Sequence, residues 1–129
     1  MRLDEWLEAY AKAWRERDSD AVVELFSEDA VYLSNPFRPP NAGREAIRAY
    51  WREATGTQDG TDVRFGTPVS EHGRTVVEWW ALTRESGAES TIAGALLLRF
   101  DEEGRCTELH EYWHSDAGRH SPPDGWGRA

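Results

Sequence analysis

The chain has 129 residues, a formal charge of −9 and a single cysteine. That length builds one hydrophobic core rather than two, and the acidity excludes nucleic acid and anionic membrane surfaces, both of which demand a basic footprint. One cysteine rules out an internal disulfide and any cysteine-based metal cluster.

Seven Trp, four Tyr and four Phe serve the core in part, but that aromatic density also suits a cavity for a flat or apolar small molecule. Met1-Arg2-Leu3-Asp4-Glu5-Trp6 is already amphipathic, with no basic start leading into an apolar stretch. No apolar run approaches the ~20 residues that span a bilayer. A cytoplasmic protein without membrane contacts is expected.

Trp6, Leu7, Tyr10 and Trp14 recur at helical spacing, opposite Glu5, Glu8, Lys12, Arg15 and Glu16. Asp18-Ser19-Asp20 can cap a short second helix carrying Val22, Val23, Leu25 and Phe26. A short strand follows from Ala30 to Leu33. Asn35 to Gly43 reads as a stiff loop, because its prolines restrict themselves and the residues before them. Ile47, Tyr50, Trp51 and Ala54 form the face of a third helix ending near Thr55-Gly56.

After Gly60 the period changes to two. Val63, Phe65 and Thr67 alternate with polar neighbours, and further strands are expected from about Thr75 to Arg84, Ser90 to Phe100 and Cys106 to His114. Short polar turns between them predict an antiparallel meander. Cys106 sits mid-strand, where a buried inert thiol is the simpler reading than a nucleophile. Residues 1–115 form the α+β domain, and 116–129 form a tail that docks, since Trp126 is ill suited to solvent. Helices before strands without βαβ alternation give α+β. Three helices cover one sheet face. The other carries Val76, Trp80, Leu82, Ala95 and Leu97, and is expected to pack against a second copy as a homodimer, unless the tail folds back over it.

The last strand carries the strongest chemical signal. In Leu109-His110-Glu111-Tyr112-Trp113-His114, Glu111 shares a face with Leu109 and Trp113, because successive strand side chains alternate. A carboxylate among aromatics is costly unless paired or protonated. With Trp79, Leu96, Leu98, Leu109 and Trp113 around it, burial should raise its pKa and fit it for acid/base work near neutrality. The alternative is an arginine partner and a structural role. Trp14, Trp51, Trp79 and Trp113 would wall the cavity or simply fill a core. His110 and His114 lie about 13 Å apart along a strand, too far to share a zinc with bonds of about 2 Å. No metal or cofactor is expected.

Tyr10-Ala11-Lys12-Ala13-Trp14 with Asp18, Leu25-Phe26-Ser27-Glu28-Asp29-Ala30-Val31-Tyr32, Gly43-Arg44-Glu45-Ala46-Ile47 and Glu111-Tyr112-Trp113 together resemble the nuclear-transport-factor-2-like superfamily and, within it, SnoaL-like proteins. The resemblance covers most of residues 3–115. It implies a cone-shaped, curved antiparallel sheet wrapped by three N-terminal helices, the cystatin-like or nuclear-transport-factor-2-like fold. It fixes no activity, because the superfamily holds isomerases, cyclases, epoxide hydrolases, dehydratases and plain binding proteins.

The ketosteroid isomerase branch uses a base before the loop proline, a helix-one Tyr and a strand acid. Here Tyr10 matches, but Asn35 stands at the base position and Leu96 at the acid position, so that activity is rejected. The polyketide cyclases and limonene-type epoxide hydrolases place an acid on the last strand, where Glu111 stands. The hydrolases' further Arg and acid on a neighbouring strand have no match in Glu78-Trp79-Trp80.

Two functional readings follow. In one, a cofactor-independent isomerase, cyclase, dehydratase or hydrolase acts on a small, largely apolar, oxygenated molecule. Glu111 shuttles the proton, Tyr10 polarises an oxygen, and Trp14, Asn35, Trp51, Trp79, Leu96, Leu98, Leu109 and Trp113 contact the ligand. In the other, the same pocket binds a small apolar or aromatic molecule without chemistry, or the chain is a dimeric scaffold.

Overall fold

The first helix, α1 (Leu3–Arg15), starts with a capping box: Glu5 Oε1 accepts the Arg2 backbone N–H at 2.9 Å. Its apolar face sinks Trp6, Leu7, Tyr10 and Trp14 into the core. Trp6 is fully buried, stacks on Tyr10 with centroids 5.0 Å apart, and donates its indole N–H to the Leu25 carbonyl at 2.8 Å. Its truncation to alanine would cost about 3–5 kcal/mol. Asp18 caps α2 (Ser19–Val23) by accepting the Ala21 N–H at 3.0 Å.

In the computed structural model, which describes residues 1–128, α3 (Arg44–Thr55) is the last helix. The strands are β1 (Phe26–Leu33), β2 (Asn41–Ala42), β3 (Gly60–Phe65), β4 (Val69–Glu71), β5 (Arg74–Glu85), β6 (Ala88–Phe100) and β7 (Cys106–Ala117). They form one sheet in the order β2-β1-β7-β6-β5-β3, with β4 pairing to β5. Among the described residues no helix is long and apolar enough to cross a membrane.

The α+β cone expected from sequence is present, with three helices against the concave face of a curved, unclosed sheet. The sheet is mixed rather than wholly antiparallel, because β1 runs parallel to β7. Phe26 opens β1 instead of closing α2. The loop after Asn35 is less irregular than its prolines imply, since Asn41–Ala42 pairs with β1. Arg44 clamps the start of α3 to β1, donating from Nε and a terminal nitrogen to the Phe26 carbonyl at 3.0 and 2.7 Å.

Register sorts the inner face into rows. Thr75, Leu98 and Leu109 form one row; Val77, Leu96 and Glu111 the next; Trp79, Gly94 and Trp113 the third. Gly94 lets the β7 backbone approach β6 without a side chain between them. A Cβ there would collide with the Tyr112 carbonyl and lie 2.8 Å from the Trp113 Cα.

The outer face is shared between the tail and solvent. β7 runs to Ala117, two residues past the expected domain end. The following segment then folds back across β3, β5 and β6. Trp80 donates its indole N–H to the His120 carbonyl at 2.9 Å, and Trp126 packs edge-on against Trp80 at 5.8 Å. The Arg64 guanidinium lies over the Trp126 ring, 5.7 Å from its centroid. Thr67 N–H donates to the Gly127 carbonyl at 2.7 Å. Val76 and Tyr112 stay exposed.

Candidate active site

Between α1, α3 and the concave rows of β5–β7 lies a cavity of about 240 Å³. Glu111 stands in its wall with 8% of its surface accessible. Two phenols hold its carboxylate: Tyr32 on β1 donates to Oε2 at 2.9 Å and Tyr50 on α3 donates to Oε1 at 2.8 Å. The Tyr10 hydroxyl lies 3.3 Å from the Tyr32 hydroxyl, so α1 joins the network one step from the acid.

Burial pushes the Glu111 carboxyl up to about 7, against the opposing pull of the Tyr50 and Tyr32 hydroxyls. No arginine, lysine or histidine forms an ion pair with it among the described residues. Burial and the Glu111 charge raise all three tyrosines, which stay neutral donors across the accessible pH range. Burial also pushes the Cys106 thiol up to about 12, leaving it protonated and unreactive.

The cavity brings together most of the residues singled out from sequence. Tyr10, Trp14, Trp51, Trp79, Leu96, Glu111 and Trp113 all border it. Trp113 is 45% exposed and forms part of the rim. Three expected contacts lie elsewhere. Asn35 is exposed; its side-chain oxygen accepts the Phe37 N–H at 2.9 Å and shapes the turn at Pro36. Leu98 and Leu109 are wholly buried in the core and do not line the cavity. They belong to the register row next to that of Leu96 and Glu111. His110 pairs with Glu108 at 2.8 Å.

Tyr32 and Tyr50 are the partners of Glu111 that sequence reasoning missed. Tyr32 follows buried Ala30 by two residues on β1, so the strand alternation placed it on the inner face. Tyr50 was recognised only as part of a helix face. Ala54, Thr55, Gln58, Glu85 and Ile92 complete the lining.

The architecture is that of the nuclear-transport-factor-2-like fold, a curved sheet wrapped by helices. The SnoaL-like domain family matches residues 7–109, and the chain belongs to that family.

Solved structures share the fold at low identity. The epoxide hydrolase/cyclase-like enzyme SalBIII, with a role in pyran ring formation in the polyether salinomycin, has a TM-score of 0.76 at 18% identity, covering 89% of this chain and 95% of its own. A hypothetical protein with a ketosteroid isomerase-like fold from Catenulispora acidiphila, solved with trimethylamine, has a TM-score of 0.73 at 23% identity, covering 84% of each chain. An LEH-like epoxide hydrolase from M. tuberculosis has a TM-score of 0.69 at 19% identity, covering 85% of this chain and 80% of its own.

Proposed function

We propose that this chain is a cofactor-independent acid/base enzyme acting on a small, largely apolar, oxygenated molecule, with Glu111 as the group that moves the proton. One observation carries the reading. A carboxyl borders a cavity, is buried without a counter-cation, is held by two phenols and is raised to about 7. Such a group is populated in both protonation states near neutrality, as a shuttle requires.

As a base it would take a proton from a hydroxyl or an activated carbon. As an acid it would protonate an epoxide, hydroxyl or carbonyl oxygen. Tyr10 or Tyr50 would hydrogen-bond the substrate oxygen, while Trp14, Trp51 and Trp79 exclude water. Isomerisation, cyclisation, dehydration and hydrolysis all fall within this reach, and two of the structural neighbours are an epoxide hydrolase and an epoxide hydrolase/cyclase-like enzyme.

The test is turnover of small epoxides, hydroxy-epoxides and cyclic enones followed by proton NMR. Glu111→Gln should cut turnover by about 100-fold or more, while tryptophan quenching shows ligand affinity largely kept. A wild-type rate that climbs through pH 7 assigns the base role, and one that falls assigns the acid role. Binding without turnover by the wild type would reject the enzyme.

A ligand-binding protein is the second reading, and one feature favours it: both Glu111 oxygens already accept phenol hydrogens without a substrate. The homodimer is proposed in reduced form, through the outer strip around Val76 and Tyr112 that the tail leaves open; light scattering on the full chain tests it.

A further inference from the structure

The cavity lining is one-sided in charge. Four tryptophans (Trp14, Trp51, Trp79 and Trp113) and three tyrosines border it, along with two carboxylates, Glu111 and Glu85. Among the described residues no lysine, arginine or histidine does. The groups facing Glu111 are Tyr10 on α1, Tyr32 on β1, Tyr50 on α3, Leu96 beside it on β6 and the Trp113 indole on its own strand. None of these is cationic, so an ionised Glu111 stands in a low-dielectric wall without a counter-charge, an arrangement costly unless something supplies one.

The indole and phenol rings offer negatively polarised faces that attract cations, most strongly when the cation is desolvated. An anionic guest meets the Glu111 carboxyl in the wall and the exposed Glu85. The donors it finds are the neutral indole N–H groups of Trp14, Trp51 and Trp79, which have no other partner among the described residues, rather than a cation. The chain's charge of −9 favours the approach of cations over anions in general.

We propose that the guest of this cavity is a small organic ammonium ion, a tertiary or quaternary amine whose alkyl groups lie against the tryptophans and whose charge faces Glu111. The inference rests on the same cavity as the acid/base reading and adds the charge of its guest. At about 240 Å³, the cavity suits a guest with a compact skeleton. Binding the cation also ionises the acid, so the guest itself would switch Glu111 into its basic form.

The probes are choline and its neutral isostere 3,3-dimethyl-1-butanol, titrated into the wild-type protein by calorimetry and tryptophan fluorescence at pH 5.5, 6.5 and 7.5. Choline should bind at least tenfold more tightly than the isostere at pH 7.5. Its affinity should fall about 20-fold by pH 5.5, as Glu111 takes up its proton. Isostere affinity should stay flat. At pH 6, calorimetry in two buffers of different ionisation heat should show close to one proton released per choline bound. Glu111→Gln, checked for native circular dichroism, should bind choline weakly and without pH dependence.

Equal affinity for the two probes, a pH-independent choline affinity, or no choline binding at all would each overturn the inference. Those results would leave the acid/base reading standing if Glu111→Gln still abolished turnover of neutral substrates. Conversely, the predicted choline profile with no turnover of any compound would retain the cation site and remove the enzyme.

Discussion

Replacing Glu111 by glutamine should stabilise this protein, and the gain should appear only as the pH rises. The folded-state pKa of about 7 lies above the ordinary 4.5, so the native chain holds a proton that the unfolded chain has released. Between these two values the unfolded state binds fewer protons, and unfolding free energy therefore falls as pH increases. Below about 4.5 both states are protonated and Glu111 costs nothing. Above about 7 the full penalty is present and constant. A rise from 4.5 to about 7 at about 1.4 kcal/mol per unit is a loss of about 3 kcal/mol. For a chain of 129 residues that amounts to about 10 °C in Tm.

Glutamine copies the protonated acid in shape, offering one acceptor and one donor group to Tyr32 and Tyr50, without a charge to desolvate. Melting curves of wild type and Glu111→Gln from pH 4 to 8.5 should nearly coincide at the acid end. They should then separate through pH 5–7 until the variant leads by about 10 °C. Asp4 and Glu89, whose pKa values are lowered by hydrogen bonds from Arg2 and Arg119, titrate in both proteins and cancel in the difference. A constant offset at all pH values would refute the reasoning. A wild type that gained on the variant with rising pH would mean that Glu111 has a cationic partner.

The phenols should act in the opposite direction to burial. Tyr50→Phe and Tyr32→Phe each remove a hydrogen bond to the carboxylate that holds the pKa down, so each should raise the Glu111 titration midpoint by about one unit, read by side-chain carboxyl NMR. Gly94→Ala would force a backbone collision with Tyr112 and Trp113; urea unfolding should show a loss of more than about 2 kcal/mol, together with altered Trp113 fluorescence. Deleting residues 119–129 removes the partners of Trp80 and Arg64, baring an aromatic patch. The truncated chain should self-associate at concentrations where the full chain does not, as light scattering would show, while the Glu111 midpoint stays unchanged.

Glu111 was legible because its evidence is local. A period of two on a strand, with Leu109 and Trp113 on either side, fixes the direction of a carboxylate without knowledge of any partner. Its partners were not legible for the converse reason. Tyr32 and Tyr50 lie 79 and 61 residues away in sequence, and only the parallel pairing of β1 with β7 and the seating of α3 bring them to one carboxyl. That parallel seam was equally hidden, because turn lengths report on consecutive strands and nothing in residues 26–33 names residues 106–110 as neighbours.

Alternation also assigned Leu98 and Leu109 correctly to the inner face, yet it could not say how far the helices reach down that face. Their row is sealed in the core, whereas the rows of Leu96 and Trp79 open into the cavity. The division between core and pocket therefore falls between the row of Leu98 and Leu109 and the row of Leu96 and Glu111. Glu111 stands on the first row past that division, deep enough to lose its water and near enough to the cavity to meet a guest. The burial that costs the fold its stability at pH 8 is the same burial that brings the acid into the working range, so a chain that merely needed a core would have placed an apolar residue at 111.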